Sequence, residues 1–237
     1  MSEAAHVALP DASPHINGVI QRVRPYTMTS PERIAALCNA VEYVARCGIP
    51  GAFVECGVWR GGSCMAAAMT LLHLGKADID IYLFDTFAGM PPPTAVDRLA
   101  LTGEQATAVL ARSDRRTSNE WAYSPLEEVR RNLAGTRYPP DKIHLIAGKV
   151  EDTLPARAPG QISLLRLDTD WYESTRRELI HLFPRLAIGG VLIIDDYGHW
   201  SGARQAVDEY IAEHKLRILL NRIDYTGRIA VKLEAAG

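Results

Sequence analysis

The stretch FVECGVWRGGS, Phe53 to Ser63, joins an apolar run to a glycine-rich turn, and an Ala-, Met- and Leu-rich segment follows it as far as Gly75. This is the pattern of a buried strand, a tight turn and a helix. Four further runs repeat the first part: IDIYLFD (79–85), KIHLIAG (142–148), ISLLRLD (162–168) and VLIID (191–195). Their continuous apolar character fits strands buried on both faces, hence a mostly parallel sheet. Helical stretches at Tyr172 to Leu186 and Gly202 to His214 supply the crossovers that parallel strands require. The last two runs, RILLNRI (217–223) and RIAVKL (228–233), are separated only by Asp224 to Gly227, a link short enough to make them an antiparallel hairpin.

Upstream, a Ser30-Pro31 start signal precedes apolar residues at Ile34, Leu37, Val41 and Val44, whose spacing predicts an amphipathic helix over 29–47. Residues 1–25 read as a flexible tail and not as a secretion signal, since they contain Glu3, Pro10, Asp11 and Pro14 and no basic-then-apolar leader. Residues 91–138 begin Pro-Pro-Pro and follow the carboxyl end of a strand, which predicts a lid inserted over the site. The expectation is a single domain over 26–237. Five parallel-type strands plus a terminal hairpin differ from the equal halves of a dinucleotide-binding dehydrogenase. They match the element order of class I methyltransferases: a Rossmann-like α/β fold, a mostly parallel seven-stranded sheet with a C-terminal antiparallel hairpin, and helices on both faces.

The 237 residues are 47% hydrophobic with a formal net charge of -2, which gives no general attraction for nucleic acid or an anionic membrane. No apolar run is long enough to span a bilayer. The four cysteines form no CxxC pair, which suits buried thiols in a reducing cytoplasm.

Ligands of such sheets bind beyond the carboxyl ends of the strands, and those ends are acidic here: Glu55, Asp85, Glu151, Asp168, Asp170, Asp195 and Asp196. The Glu55 to Ser63 turn does not match the dinucleotide fingerprint G-x-G-x-x-G, and Glu55 beside it disfavours a pyrophosphate. S-adenosylmethionine fits better, having no phosphate, two positive centres and a ribose diol for Asp85. Asp85 lies about 20 residues past Gly62, where a ribose acceptor belongs. Val150 and Glu151 are placed to meet the adenine.

Asp168, Asp195 and Asp196 end neighbouring strands and can converge on a hard cation, Mg²⁺ most simply. The alternative is that Asp195-Asp196 caps the following turn. Asp170 is either the N-cap of the helix that follows it or a general base for a hydroxyl group, with His199 as a rival base. Arg112, Arg115 and Arg116 read as a solvated lid face. Trp59, Trp121, Trp171 and Trp200 are candidates for lining an acceptor pocket.

Six segments together resemble the macrolide and aminocoumarin sugar O-methyltransferases: YTMTSPERI (26–34), FVECGVWRGGS (53–63), FDTFAGMPPP (84–93), GKVEDTLP (148–155), LRLDTDWYEST (165–175) and LIIDDYGHW (192–200). The resemblance implies Mg²⁺-dependent methyl transfer from S-adenosylmethionine to a sugar hydroxyl of a glycosylated natural product. It assigns Asp168, Asp195 and Asp196 to the metal and Asp170 to the base. It places the cofactor against Thr27, Met28, Glu55, Gly57, Val58, Arg60, Gly61, Ser63, Asp85, Thr86, Phe87, Val150, Glu151 and Asp168. It also implies a homodimer. Other readings are a catechol-like phenol as acceptor, or a protein that binds S-adenosylmethionine without catalysis.

Overall fold

Val54, Cys56, Leu165 and Leu167 are all nearly inaccessible to solvent, as strands in the middle of a two-sided sheet must be. The computed structural model describes residues 8–234. It contains β1 (Ala52–Cys56), β2 (Ile81–Asp85), β3 (Ile143–Ala147), β4 (Ile162–Leu167), β5 (Leu186–Ile194), β6 (Asn221–Arg222) and β7 (Arg228–Val231). They form the seven-stranded sheet expected from the apolar runs, in the order β3-β2-β1-β4-β5-β7-β6. The first five strands are parallel and β7 runs antiparallel to both β5 and β6. The chain leaves β1 towards β2 on one side and reaches β4 on the other, so a crevice opens at the carboxyl ends of β1 and β4.

Two apolar layers cover the sheet. On one face lie α1 (Pro14–Val23), α2 (Pro31–Arg46), α3 (Gly62–His73) and, after the short lid helix α4 (Ala106–Ala111), α5 (Leu126–Ala134). On the other lie the single turn α6 (Val150–Thr153), α7 (Tyr172–Leu182) and α8 (Ser201–Glu213). Helix α2 starts as its sequence predicts, with Ser30 Oγ accepting from Arg33 N and Pro31 in the first turn.

Several expected boundaries move: α7 stops at Leu182 and β5 starts at Leu186, only Asn221–Arg222 of the run 217–223 is strand, and two larger differences concern the tail and the lid. The segment 1–25, read as a tail, contains a helix: Ser13 caps α1 by accepting from Ile16 N, and Ile16, Val19, Ile20 and Val23 are buried in the core against α3. Pro14 sits at the first helical position, where a missing N–H costs nothing. Residues 1–7 lie outside the described part. The lid expected over 91–138 also ends earlier. Val129 and Leu133 of α5 are fully buried, so α5 is the core crossover between β2 and β3, and the irregular insertion closes near Ser124.

That insertion is docked. The buried Asp97 carboxylate accepts from Thr94 N, Thr94 Oγ1 and Tyr172 N, so it caps α7 from the lid. Trp171 Nε1 donates to Pro91 O, Ala100 N donates to His199 O, and Met90, Leu110, Trp171 and Trp200 share a small apolar cluster.

A truncation in α1 separates a packed helix from a tail. Ile20→Ala should lower unfolding free energy by about 2–4 kcal/mol, measured by urea denaturation, because Ile20 is 4% exposed. A freely moving segment would show no change.

Candidate active site

At the carboxyl ends of β1, β2, β4 and β5 the chain encloses a cavity of about 580 Å³, the size of a site for a small molecule or two. The glycine turn allows its floor to form. A Cβ on Gly57 (φ +82°) would stand 1.8 Å from Asp168 O, so glycine lets the ends of β1 and β4 press together. A Cβ on Gly62 would meet Tyr26 O at 2.5 Å, and its absence lets the Tyr26 to Ser30 segment lie across the start of α3.

Of the residues singled out in the sequence, Thr27, Met28, Gly57, Val58, Ser63, Asp85, Thr86, Val150, Glu151, Asp168, Asp170, Asp195 and Asp196 line this cavity together. Asp85 Oδ2 accepts from Val58 N (2.6 Å) and Trp59 N (3.1 Å), and Oδ1 accepts from Phe87 N (2.7 Å). The carboxylate that faces the cavity therefore also shapes the glycine turn. Burial raises its pKa, and these three hydrogen bonds oppose the rise.

Four of the expected cofactor residues do not reach the wall. Glu55 is 1% exposed, with Oε1 accepting from Arg166 and Oε2 accepting from Cys64 Sγ, so it acts as a buried counter-ion. Arg60 points away, donating to Pro25 O and pairing with Glu128. Gly61 is the left-handed N-cap of α3 and lies under Val129. The Phe87 ring is buried in the apolar layer on the α1–α3 face.

The centre of the acidic cluster is a residue the sequence reading passed over. Arg166, on β4 and 2% exposed, donates from Nη1 to Glu55 (2.5 Å) and Asp168 (2.6 Å) and from Nη2 to Asp195 (2.5 Å) and Thr29 (3.1 Å). Burial acts to lower its pKa, but the carboxylates Asp168, Asp195 and Glu55 more than reverse this. The signal was an arginine inside the apolar run ISLLRLD, since a cation in a two-sided strand requires carboxylate partners. Arg33, on the first turn of α2, adds a second tie, to the other Asp195 oxygen and to Asp224.

Asp168, Asp195 and Asp196 each bring one oxygen within 4.8 Å of the others. The Asp196 Oδ2 atom is buried and receives no hydrogen bond among the described residues. The turn after Asp196 is closed by its backbone carbonyl, which accepts from His199 N and Trp200 N, so these carboxylates are not spent on capping it. Asp170 is not the cap of α7 either, because Asp97 holds Tyr172 N. Asp170 has φ +66°, a left-handed conformation unusual for aspartate, and burial raises its carboxyl to a pKa of about 7. Burial likewise holds Asp168 and Asp196 well above the usual carboxylate range.

His199 also lines the cavity, with Nδ1 sharing a 2.5 Å hydrogen bond with Tyr225 Oη. Burial, and then the Arg33 cation, lower its pKa, which makes it a weaker proton acceptor than a free imidazole. Trp59 and Trp200 are on the wall; Trp171 packs edge-on to Trp200 behind it. Arg112 pairs with Glu104, and Arg115 lies over Trp121 on the lid.

A family model described as Macrocin-O-methyltransferase (TylF) matches residues 10–231. The 8-demethyl-8-(2,3-dimethoxy-alpha-L-rhamnosyl)-tetracenomycin-C 4'-O-methyltransferase of Streptomyces olivaceus is 35% identical over 218 residues, covering 92% of this chain and 80% of that protein. The demethyldecarbamoylnovobiocin O-methyltransferase of Streptomyces niveus is 33% identical over 202 residues, covering 85% of this chain and 74% of its own. The solved structure of the O-methyltransferase NovP superposes with a TM-score of 0.76 at 31% identity, covering 88% of this chain and 83% of that one. The parallel sheet with its antiparallel end, the glycine turn against an acidic rim and a match over nearly the whole chain lead to one conclusion: this chain belongs to the macrocin-O-methyltransferase (TylF) family and is an S-adenosylmethionine-dependent O-methyltransferase.

Proposed function

We propose that the enzyme methylates a sugar hydroxyl of a glycosylated natural product and that it uses Mg²⁺ to do so. The observation that carries the reading is the buried, undonated Asp196 oxygen beside the Asp168 and Asp195 carboxylates, on the wall of the same cavity as the glycine turn. An oxygen-only set with one oxygen unserved fits a hard divalent cation. The names of the relatives from S. olivaceus and S. niveus, the first of which specifies a rhamnosyl-bearing tetracenomycin, support an acceptor of this kind.

Asp168, Asp195 and Asp196 would hold the cation, which supplies a fixed positive charge that lowers the cost of developing an alkoxide. Asp170 accepts the hydroxyl proton on its carboxylate. The acceptor oxygen then takes the methyl group in line as the sulfur–carbon bond breaks and its electron pair passes to sulfur. Asp85 receives the ribose diol, and the Thr27 and Met28 segment covers the cofactor and excludes water. Most of the rate enhancement comes from this positioning and from the charge on the transferring oxygen. The proton is assigned to Asp170 over His199, whose Nδ1 is engaged by Tyr225 Oη and which burial and Arg33 make less basic.

The lid side of the cavity favours an aglycone. Met90, Pro91, Leu99, Val109 and Leu110 present apolar surface there. Of the two Lys or Arg residues on the cavity wall, Arg33 is bound to Asp195 and Asp224, and Lys149 stands just past the end of β3, beside Val150 and Glu151. A neutral glycoside fits such a wall better than a sugar carrying a diphosphate. Among the described residues no helix is long and apolar enough to cross a membrane. The reading also includes a homodimer, which light scattering of the purified protein tests.

Asp170→Asn should lower kcat by about 10²–10⁴-fold while calorimetry finds S-adenosylmethionine bound as tightly as before. Wild-type turnover in that variant would reassign the base. Calorimetric titration with Mg²⁺ should give saturable heat that Asp196→Asn abolishes, and a chelator should stop turnover; full activity in chelator would remove the metal. An acceptor panel of neutral glycosides, nucleoside-diphosphate sugars and catechols, read by mass spectrometry, should show methylation of glycosides. Product from catechols alone would replace the sugar reading.

A further inference from the structure

The hairpin between β6 and β7 is short at its open end, with only Asn221–Arg222 paired on one side, yet its turn is fastened on every side. Asp224 Oδ1 accepts from Thr226 N (2.9 Å) and Gly227 N (2.8 Å), which shapes the turn from within. Its Oδ2 accepts from Ser30 Oγ (2.7 Å) and Arg33 Nε (2.9 Å), which ties the turn to the start of α2. Thr226 Oγ1 donates to Asp195 O, and Gly198 N donates to Thr226 O (2.9 Å). The two backbones are so close that a Cβ on Gly198 would stand 2.1 Å from Tyr225 O.

The residue at the head of this fastened turn is Tyr225, which lines the cavity and is 46% exposed. A lone exposed aromatic ring at a hairpin tip needs no explanation. This one differs because both its ends are fixed: the backbone by the bonds above and the hydroxyl by His199 Nδ1 at 2.5 Å. The ring is therefore held in one orientation before any ligand arrives. Sugar rings carry apolar C–H faces, and a preoriented aromatic wall binds them with little loss of side-chain freedom.

We propose that Tyr225 is an acceptor-binding residue, whose ring packs against the sugar while His199 serves as the positioning residue that holds it there. This rests on the sugar-acceptor reading above. The turn stands on the β5 side of the cavity, next to the Asp195-Asp196 pair and away from the cofactor end at Asp85 and Glu151, so its contacts belong to the acceptor. The hairpin thereby contributes to substrate choice as well as to closing the sheet.

The test uses whichever glycoside of the panel supports turnover. Tyr225→Ala should raise the KM for that glycoside by about 5- to 10-fold, the worth of one aromatic contact, with kcat within about 2-fold and S-adenosylmethionine affinity unchanged. Tyr225→Phe keeps the ring and loses the tether, so its KM should rise by no more than about 3-fold, and His199→Phe should behave like Tyr225→Phe. An unchanged KM in Tyr225→Ala overturns the proposal, as does a loss that falls on kcat or on cofactor affinity, which marks a structural role. Equal KM losses in Tyr225→Ala and Tyr225→Phe overturn the packing role too. If no glycoside reacts with the wild-type enzyme, the acceptor reading itself fails and this inference falls with it.

Discussion

One buried guanidinium makes this site possible. Parallel strands deliver their carboxyl ends to one place, and here β1, β4 and β5 deliver Glu55, Asp168 and Asp195 to within reach of each other. Three carboxylates in a poorly solvated space repel one another strongly. Arg166 rises between them from β4 and touches all three, and its second nitrogen reaches Thr29 in the segment that lies across the start of α3. Breaking one buried pair of this kind costs about 3–5 kcal/mol, so the arrangement behaves as a unit. Arg33 repeats the device at the rim, linking Asp195 to the hairpin through Asp224.

This charge balance orders the roles of the acidic residues. Glu55 is consumed by Arg166 and Cys64 and takes no part in the cavity wall. Asp168 and Asp195 face both the guanidinium and the cavity. Asp196 and Asp170 form no ion pair with either guanidinium among the described residues. A cluster that looked uniform along the sequence thus separates into carboxylates that pair with Arg166 and carboxylates that do not.

Much of the fold was legible because its signals are local. Each of the five parallel strands announced itself as an apolar run, and four residues between 223 and 228 required an antiparallel return. The convergence of Asp168, Asp195 and Asp196 followed from strand spacing alone. What was hidden depended on contacts distant in sequence. Helix α1 did carry a local signal, Ile16, Val19, Ile20 and Val23 at spacings of three and one behind a Ser13-Pro14 start. But one short stripe near a chain end does not say what it packs on, and that comes from α3. The withdrawal of Glu55, Arg60 and Phe87 from the wall depends on partners up to 111 residues away. Tyr225 belongs to a turn whose sequence announced only a reversal, and its place in the site comes from Ser30, Arg33 and Gly198.

The lid is fastened to the body over residues 90–100, where the Asp97 carboxylate on the first turn of α7 is joined by backbone bonds from Arg98 and Ala100 to Ser201 and His199. Beyond those contacts, residues 101–124 carry mostly exposed side chains over the apolar end of the cavity. An insertion pinned in this way is a cassette. Its length and sequence can drift, or be exchanged between relatives, while the strand ends beneath it stay untouched, so the range of acceptors can diversify without the chemistry being rebuilt. Asp97 is the joint along which such an exchange would be cut.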